Sequence, residues 1–182
     1  MTASPGQPAE GQLESVDHVA LRTALREAGP DLLGYFERRL ANHEDAADAL
    51  ADTMLQAWRR VDRLPDDPTH IRMWLFGIAA NVLANQRRAT RRRTALTDRL
   101  RTQLTPNELA PGLDLAEQQA VRDAITRLPA DLRELVMLVH WDRLTLAEAA
   151  HVLGLNPSTA RSRYATARAT LRETLAISDV HA

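Results

Sequence analysis

A pair of helix boundaries near the C-terminal end constrains this chain most strongly. Thr145 and Glu148 form a capping box, in which each side chain bonds the backbone amide of the other, so a helix begins there. Gly154 suits the left-handed residue that ends a helix, and Asn156 followed by Pro157 begins the next one. The turn between the two helices is then about three residues long, which is the spacing of a helix-turn-helix.

Apolar residues elsewhere also recur at helical intervals of three and four. One stripe contains Leu50, Met54, Trp58 and Val61, and a later one contains Trp74, Leu75, Ile78, Ala79, Val82 and Leu83. No segment alternates between apolar and polar residues as a half-buried strand would, so we predict an all-α fold. The predicted boundaries include a first helix over 13–28 that Gly29-Pro30 ends, a loop over 64–68, and later helices over 118–128, 131–141, 145–153 and 157–176.

Composition divides the chain into two small helical domains. Residues 1–12 are rich in Pro and Gly and are predicted to be disordered. Residues 104–117 combine two Pro, one Gly and three acidic residues, which is typical of a linker. The first helical domain is therefore predicted over 13–103 and the second over 118–178.

Charge is segregated along the chain although the formal net charge is only −1. All 23 basic residues are Arg. Residues 31–57 hold six acidic residues and two Arg, residues 81–103 hold seven Arg and one acidic residue, and residues 155–172 hold four Arg and no acidic residue. Two basic segments and one acidic segment suit a protein that meets a polyanion at two places and a basic partner at a third.

The second helix of the helix-turn-helix has an outward face that fits a DNA groove. Ser158 and Ser162 point away from its apolar stripe, which consists of Ala160, Tyr164, Ala167, Leu171 and Leu175. Arg161 and Arg163 flank the two serines, where guanidinium groups reach base edges or phosphates. An ordinary helical hairpin with a solvated Arg face is the alternative interpretation.

The helix that ends the first half runs into the cluster of seven Arg. Opposite its apolar stripe lie Gly77, Asn81, Ala84 and Arg88, of which two are small enough to let a nucleic acid approach the backbone. Arg near a helix C-terminus also complements the helix dipole. Seven Arg exceed what such a cap needs, so we favour phosphate binding.

Few aromatic side chains are present to stack on melted bases. Trp58 and Trp74 fall on apolar stripes and are predicted core residues. Phe76 lies at the edge of its stripe, which makes it a weak candidate for stacking on a base.

Taken together, these motifs resemble an extracytoplasmic-function (ECF) sigma factor, the minimal bacterial transcription initiation factor. The first half resembles sigma region two through residues 43–48 (HEDAAD), 55–59 (LQAWR) and 74–81 (WLFGIAAN), followed by the Arg cluster. The second half resembles region four through Leu128-Pro129, Arg133-Glu134, the capping box, Leu153-Gly154, residues 159–163 (TARSR) and Ala167-Arg168.

The resemblance implies a protein that binds core RNA polymerase, recognises the minus-ten and minus-thirty-five promoter elements and promotes promoter opening, with an anti-sigma factor as a further partner. It implies polymerase contacts by Asp45, Asp48, Asp52, Leu55 and Arg59. It implies minus-ten contacts by Asn81, Arg87, Arg88, Arg91 and Arg92, with a flipped base held by Asn81 and the loop 64–71. It implies minus-thirty-five contacts by Ser158, Thr159, Arg161, Ser162, Arg163 and Arg168.

Three places depart from the family pattern, and at one of them the family's Glu-Ile-Ala is Glu148-Ala149-Ala150. The Gln-Glu pair that often follows the acidic turn is Ala51-Asp52 here. An Arg that is common three positions after the Arg-Ser-Arg of the recognition helix is Thr166. The latter two departures affect the details of polymerase docking and one DNA contact.

Several other function classes are disfavoured by the sequence. The chain has no Cys, and its six His form no His-Glu-x-x-His motif, which argues against thiol chemistry and against a metal-dependent helical hydrolase. We expect no enzymatic activity, no cofactor and no metal. No signal peptide or membrane-spanning segment is evident, so we expect a cytoplasmic protein. The remaining alternative is a stand-alone helix-turn-helix repressor, which would need a dimer interface or effector pocket in the first half.

Overall fold

The computed structural model describes the backbone of residues 16–97 and 115–179 and the side chains of residues 16–89 and 119–176. These residues form seven α-helices and one 3₁₀ turn, with no strand among them, which confirms the all-α prediction. The segment 1–12 and most of the predicted linker 104–117 lie outside the described residues. The last three residues of that linker are helical, because helix α4 already begins at Leu115.

Three helices make up the first unit: α1 (Val16–Glu37), α2 (His43–Trp58) and α3 (Pro68–Thr97), with the 3₁₀ turn Val61–Arg63 between the last two. Helix α1 continues through Gly29-Pro30, so the predicted helix end there is wrong. A proline inside a helix deprives the carbonyl four residues earlier of its donor. Arg26 and Pro30 are both exposed, so water can bond that carbonyl while Ala28 and Leu32 are buried.

Capping side chains set the starts of α2 and α3. Asn42 Oδ1 accepts the amide N–H of Asp45 at 2.7 Å. Asp67 Oδ1 accepts the amide N–H of Thr69 at 2.7 Å, and Pro68 occupies the first helical position, where no N–H donor is needed. Because α3 begins at Pro68, residues 68–71 of the predicted base-binding loop 64–71 belong to a helix instead.

Two aromatic side chains do not lie where the apolar stripes place them. Trp58 is 41% exposed, because it is the last residue of α2 and the buried face of that helix is formed by Ala49, Thr53 and Ala57. Phe76 is fully buried, and its ring meets that of Tyr35 edge to face with 5.7 Å between centroids. The predictions of a core Trp58 and a base-stacking Phe76 are therefore wrong, whereas Trp74 packs against the core as predicted.

The second unit consists of four helices: α4 (Leu115–Arg127), α5 (Ala130–His140), α6 (Leu146–Val152) and α7 (Pro157–Asp179). Their bounds differ from the predicted ones by a few residues at most. Leu128, Leu132, Val136 and Ala167 form a buried cluster of their own, with Leu171 packed against it. This cluster joins α5 to the helix-turn-helix.

The second unit also packs directly against the first. Leu135 and Leu138 of α5, Leu144 and Ala149 belong to the same buried cluster as the core residues of α1, α2 and α3. Helix α3 contacts α1, α2 and α6. In the structure, the two units therefore share one apolar core.

Candidate nucleic-acid and partner interfaces

Local hydrogen bonds define both ends of α6. The Thr145 amide donates to Glu148 Oε2 at 2.7 Å and the Glu148 amide donates to Thr145 Oγ1 at 3.2 Å, which confirms the capping box. Gly154 has a left-handed φ of +63°. The Leu155 amide donates to the carbonyl of Ala150 at 2.8 Å, which closes a Schellman motif at the helix end. The turn thus fixes the position of α7 relative to α6.

Helix α7 begins with a cap that uses one of the predicted DNA-binding residues. Asn156 Oδ1 accepts the amide of Ser158 at 2.9 Å and the hydroxyl of Ser158 at 2.7 Å. Ser158 is exposed, but its hydroxyl proton is already engaged in the cap. Ser158 can therefore offer DNA an acceptor, not a donor.

Burial along α7 follows the predicted stripe. Ala160 and Ala167 are buried, Thr159 is half-buried, and the exposed predicted contacts are Ser158, Arg161, Ser162 and Arg168. Arg163 differs from these, because its Nη1 lies 3.4 Å from Oδ2 of Asp131 on α5. Arg163 would have to leave this carboxylate in order to bind DNA, whereas Arg161 has no ion pair within the described residues.

Small and polar side chains form an exposed strip on α3. Asn81 is exposed, and its Nδ2 donates to the carbonyl of Gly77 at 3.0 Å, which leaves Oδ1 to accept a hydrogen bond from a base. A Cβ added at Gly77 would meet nothing within 4 Å, so packing among the described residues does not require glycine there. The strip is accessible to a ligand from outside the chain.

The cationic end of this strip faces the second unit. Arg87 and Arg88 are exposed. Both line a cleft of about 320 Å³, whose other lining residues are Tyr35, Ala80, Leu83, Ala84, Glu134 and Leu153. The side chains of Arg91 and Arg92, which are also predicted to bind DNA, lie outside the described residues.

The predicted polymerase contacts share one stripe of α2 and its C-terminal end. They are all exposed and recur at intervals of three and four: Asp45, Asp48, Asp52, Leu55 and Arg59. Leu55 is 46% exposed and the neighbouring Trp58 is 41% exposed, so the acidic row leads into an apolar patch. Such a surface, which we call the acidic stripe, suits a basic partner that also offers apolar area.

A buried ion cluster between the units was not predicted from the sequence. The Asp142 side chain is fully buried, and its two carboxylate oxygens accept hydrogen bonds from the Nη2 atoms of Arg38 and Arg39, the latter at 2.8 Å. Arg39 Nε also donates to Glu134 Oε1 at 2.7 Å. Arg72 Nη2 donates to the backbone carbonyl of Asp142 at 2.7 Å.

The environment of this cluster keeps Arg39 charged. Burial alone would lower the pKa of its guanidinium, but the carboxylates of Glu134 and Asp142 outweigh burial and raise that pKa above its ordinary value. Burial also raises the pKa of the Tyr35 hydroxyl, and the Tyr35 ring centroid lies 3.8 Å from the guanidinium carbon of Arg39. Arg39 therefore stays a cation inside the cluster.

Potential metal ligands are dispersed in the described part of the chain. No three His, Asp or Glu side chains there are grouped as metal ligands would be. His43 Nδ1 lies 2.8 Å from Glu37 Oε1 at the exposed start of α2. None of the helices described is long and apolar enough to cross a membrane.

Two family models match the chain in succession. Sigma-70 region 2 matches residues 25–93, and Sigma-70, region 4 matches residues 118–171. The ECF RNA polymerase sigma factor SigL of Mycobacterium tuberculosis is 31% identical over 161 residues, which cover 86% of this chain and 89% of SigL. The RNA polymerase sigma factor CnrH of Cupriavidus metallidurans is 32% identical, with 93% of this chain and 87% of CnrH covered.

Solved structures have the same fold. The sigma factor RpoE of Bartonella quintana, crystallised with the anti-sigma factor NepR, is similar with a TM-score of 0.70 and 27% identity, and the match covers 87% of this chain and 98% of RpoE. CnrH in complex with the cytosolic domain of CnrY gives a TM-score of 0.60 at 24% identity, with 90% and 92% covered.

Regions two and four in this order define a sigma factor, a protein that acts in transcription initiation by RNA polymerase. The chain belongs to the extracytoplasmic-function family of sigma factors. It is thus a transcription regulator. A stand-alone repressor is not favoured, because region two occupies the half in which such a repressor would need its dimer interface or effector pocket.

Proposed function

We propose that three exposed surfaces divide the work of this sigma factor. The acidic stripe of α2 binds core RNA polymerase, the strip of α3 around Asn81 binds the minus-ten element, and the first turns of α7 read the minus-thirty-five element. The observation that carries this proposal is that three separate helices expose most of the described contact residues while their apolar faces are buried. Residues 13–103 and 118–178 act as the two domains, with 104–117 as the linker.

Charge and apolar area together support the polymerase assignment. Asp45, Asp48 and Asp52 form a row that attracts a basic surface and speeds association. Leu55 and Trp58 supply the apolar area that slows dissociation once the surfaces meet. Arg59 ends the row with a charge opposite to that of the three aspartates. This difference in charge along the row orients the partner.

The two proposed minus-ten contacts, the loop before α3 and Asn81, lie far apart along the axis of α3. Asp67 and Asn81 are fourteen residues apart on the helix, which is about 21 Å along the axis. The loop 64–67 and Asn81 therefore form opposite ends of the proposed minus-ten contact surface. Gly77 lets the nucleic acid approach the backbone beside Asn81, while Arg87 and Arg88 neutralise phosphates.

The recognition helix, which is α7, the second helix of the helix-turn-helix, offers DNA contacts of different kinds. Ser162 faces outward from the buried Ala160 and lies nearest the groove floor. Arg161 reaches a base edge or a phosphate beside it. Arg168 lies two turns further along the exposed side, about 10 Å from Arg161 along the axis, which suits a backbone phosphate.

We also propose an anti-sigma factor as a partner, because RpoE, to which this chain is similar, was crystallised with the anti-sigma factor NepR. A cytoplasmic location follows from partners that are polymerase and DNA. The chain acts by binding and has no catalytic activity, cofactor or metal of its own.

Run-off transcription with core polymerase on a genomic library tests the proposal. Discrete start sites should depend on the added chain, and Asn81→Ala should reduce open-complex formation while leaving the melting temperature nearly unchanged. Capture of core polymerase by the chain distinguishes a sigma factor from a repressor. A folded chain with active core that yields no start site would contradict the proposed function.

A further inference from the structure

One residue of the second unit has its charged partners in the first unit. Asp142 lies in the turn between α5 and α6, and both of its buried carboxylate oxygens bond guanidinium groups of the first unit, those of Arg38 and Arg39. Arg72 of α3 reaches the backbone carbonyl of the same residue, and its Nη2 also lies 3.0 Å from Asp31 Oδ2. Asp142 is therefore neutralised across the interface between the units.

The turn that carries Asp142 is fixed in a conformation that side chains rarely adopt. Arg143 has a φ of +56°, in the left-handed region that favours glycine. The Asp142 amide donates to the Met137 carbonyl at 3.1 Å, and the Leu144 amide donates to the Leu138 carbonyl at 3.0 Å. This backbone holds the carboxylate of Asp142 against the first unit.

The first unit makes room for its side of the contact. A Cβ at Gly34 would lie 2.8 Å from Nη1 of Arg38, so the glycine lets this guanidinium lie close against α1. Arg38 keeps a 19% exposed side chain, whereas that of Arg39 is only 1% exposed. Arg38 thus closes the rim of the cluster and Arg39 fills its interior.

A buried ion cluster of this kind adds little net stability when it is complete. The attraction between the charges roughly balances the cost of removing them from water, whereas a buried charge that loses its partner is strongly destabilising. If the units separate, Asp142, Arg38 and Arg39 all return to water together. The ionic part of the contact between the units is therefore specific and reversible.

The docked second unit borders part of the proposed minus-ten surface. Ala84, Arg87 and Arg88 of α3 line the cleft whose opposite wall includes Glu134 and Leu153. The carboxylate of Glu134 lies where an approaching phosphate would meet like charge. Arg87 and Arg88 stay exposed, but the docked arrangement places a carboxylate beside the Arg end of the α3 strip, which disfavours a phosphate there.

Promoter geometry requires that the units separate. Elements centred near minus ten and minus thirty-five are on the order of 80 Å apart at 3.4 Å per base pair. A compact chain of this length has a radius of gyration of about 16 Å. A closed protein of that size cannot place α3 and α7 on both elements at once.

We propose that Asp142 with Arg38, Arg39 and Arg72 forms an inter-domain latch, which holds the sigma factor closed and must open before both promoter elements are bound. The proposal rests on the proposed function for the minus-ten surface. Only the open form can bind both promoter elements. The apparent promoter affinity of the chain alone is therefore its intrinsic affinity multiplied by the fraction of molecules that are open. Core polymerase that binds the open form shifts this equilibrium.

The absence of Cys allows the latch to be measured directly in the full chain. Ala41→Cys in the first unit and Ala169→Cys on α7 are exposed positions for two spin labels. Double electron–electron resonance without DNA should give one narrow distance. Asp142→Asn should shift a large fraction of molecules to longer, broader distances, and Arg38→Gln should do the same from the other unit.

A matched variant and a melting curve complete this experiment. Asp123→Asn removes an exposed carboxylate from α4 and should leave the distance distribution unchanged. Unchanged distances in both Asp142→Asn and Arg38→Gln would overturn the latch, as would loss of cooperative unfolding in both. If Asp142→Asn alone fails to fold, the distances in Arg38→Gln decide.

A DNA-binding assay tests whether the closed form weakens promoter binding. The probe is a fluorescent fork duplex of DNA that carries a start site mapped by run-off transcription. Asp142→Asn should bind it several-fold more tightly than the unmodified chain. Equal affinity despite longer label distances would overturn the proposal that the closed form weakens DNA binding. Failure of both proteins to bind any such duplex would instead contradict the proposed function, because the label distances do not depend on DNA.

Discussion

Asn81 donates its side-chain amide to the carbonyl of Gly77, one helical turn earlier, at 3.0 Å. This bond lays the Asn81 amide along the helix surface beside the position where no side chain covers the backbone. Packing among the described residues does not explain the glycine, since an added Cβ would meet nothing within 4 Å. The pair thus defines a shallow site where an external ligand can approach α3 closely.

Gly77→Ala should stabilise the protein and impair promoter opening. Alanine in an exposed helix is favoured over glycine by about 0.5–1 kcal/mol, so the free energy of unfolding should rise. The added methyl group should nevertheless hinder a nucleic acid that approaches the backbone. Chemical denaturation and open-complex assays measure the two effects.

Gly29→Ala provides the matched control for this variant. The Cβ at Gly29 would lie 3.8 Å from the terminal methyl of Met54, which is ordinary contact, and α1 takes no part in the proposed DNA surface. Its opening activity should be unchanged. Normal opening by Gly77→Ala would show that DNA does not approach α3 at this point.

Replacing Asp45, Asp48 and Asp52 together with Asn should weaken binding to core polymerase. Each substitution is at an exposed position and should change folding stability by no more than about 0.5 kcal/mol. Association should become slower and less sensitive to salt, because the attraction that salt screens has been removed. Binding kinetics at several salt concentrations measure this effect.

The control removes three exposed carboxylates elsewhere, through Asp17→Asn, Asp62→Asn and Asp123→Asn. This variant has the same net charge as the triple variant of the acidic stripe. Core affinity and its salt response should then stay close to those of the unmodified chain. Equal losses in the two variants would mean that total charge, and not the stripe, guides the polymerase.

Asp67 should make the stability of the first unit depend on pH. The hydrogen bond from the Thr69 amide lowers the pKa of the Asp67 carboxyl below its ordinary value of 3.8. A lowered pKa in the folded state means that the stabilisation is present above the unfolded value and is lost as pH falls through the folded value. Asp67→Asn keeps an acceptor at the cap but removes this charge.

Melting temperatures of the two proteins as a function of pH test this expectation. The unmodified chain should exceed Asp67→Asn at neutral pH, and the difference should shrink below about pH 4 as Asp67 becomes protonated. Asp66→Asn, one residue earlier and also exposed, is the control. A difference that does not vary with pH would show that the ionised carboxylate does not stabilise the start of α3.

Local chemistry explains which elements could be predicted from the sequence. The capping box of Thr145 and Glu148, the left-handed Gly154 and the cap by Asn156 depend on residues a few positions apart, so spacing alone predicts their hydrogen bonds. The continuation of α1 through Pro30 depends instead on which side of the helix faces water. That orientation is decided by packing, which a local pattern does not contain.

Long-range contacts account for the residues that sequence reasoning missed. Arg38 and Asp142 are 104 positions apart, and no spacing rule links them. Phe76 is at the edge of its stripe but is buried, because Tyr35 of α1 covers that side of α3. The ion pair of Arg163 with Asp131 likewise arises from the packing of α5 against α7.

The recognition helix yields the last prediction, which concerns Arg161 and Arg163. Arg161→Ala should weaken binding of the full chain to a mapped promoter duplex. If Arg161 reads a base, the loss should be about 1–3 kcal/mol and confined to one base-pair preference. If it binds a phosphate, affinity should fall for all sequences and the salt slope should drop by about one unit.

Arg163 should behave differently because Asp131 competes with DNA for its guanidinium. Asp131→Asn removes that competitor, so promoter affinity should rise, and the gain should vanish when Arg163 is also changed to Ala. A double-mutant cycle measured by fluorescence anisotropy at several salt concentrations isolates this coupling. Additive effects of the two changes would show that the 3.4 Å pair does not restrain Arg163. If Arg161→Ala and Arg163→Ala both leave affinity, preference and salt slope intact, α7 does not read the minus-thirty-five element.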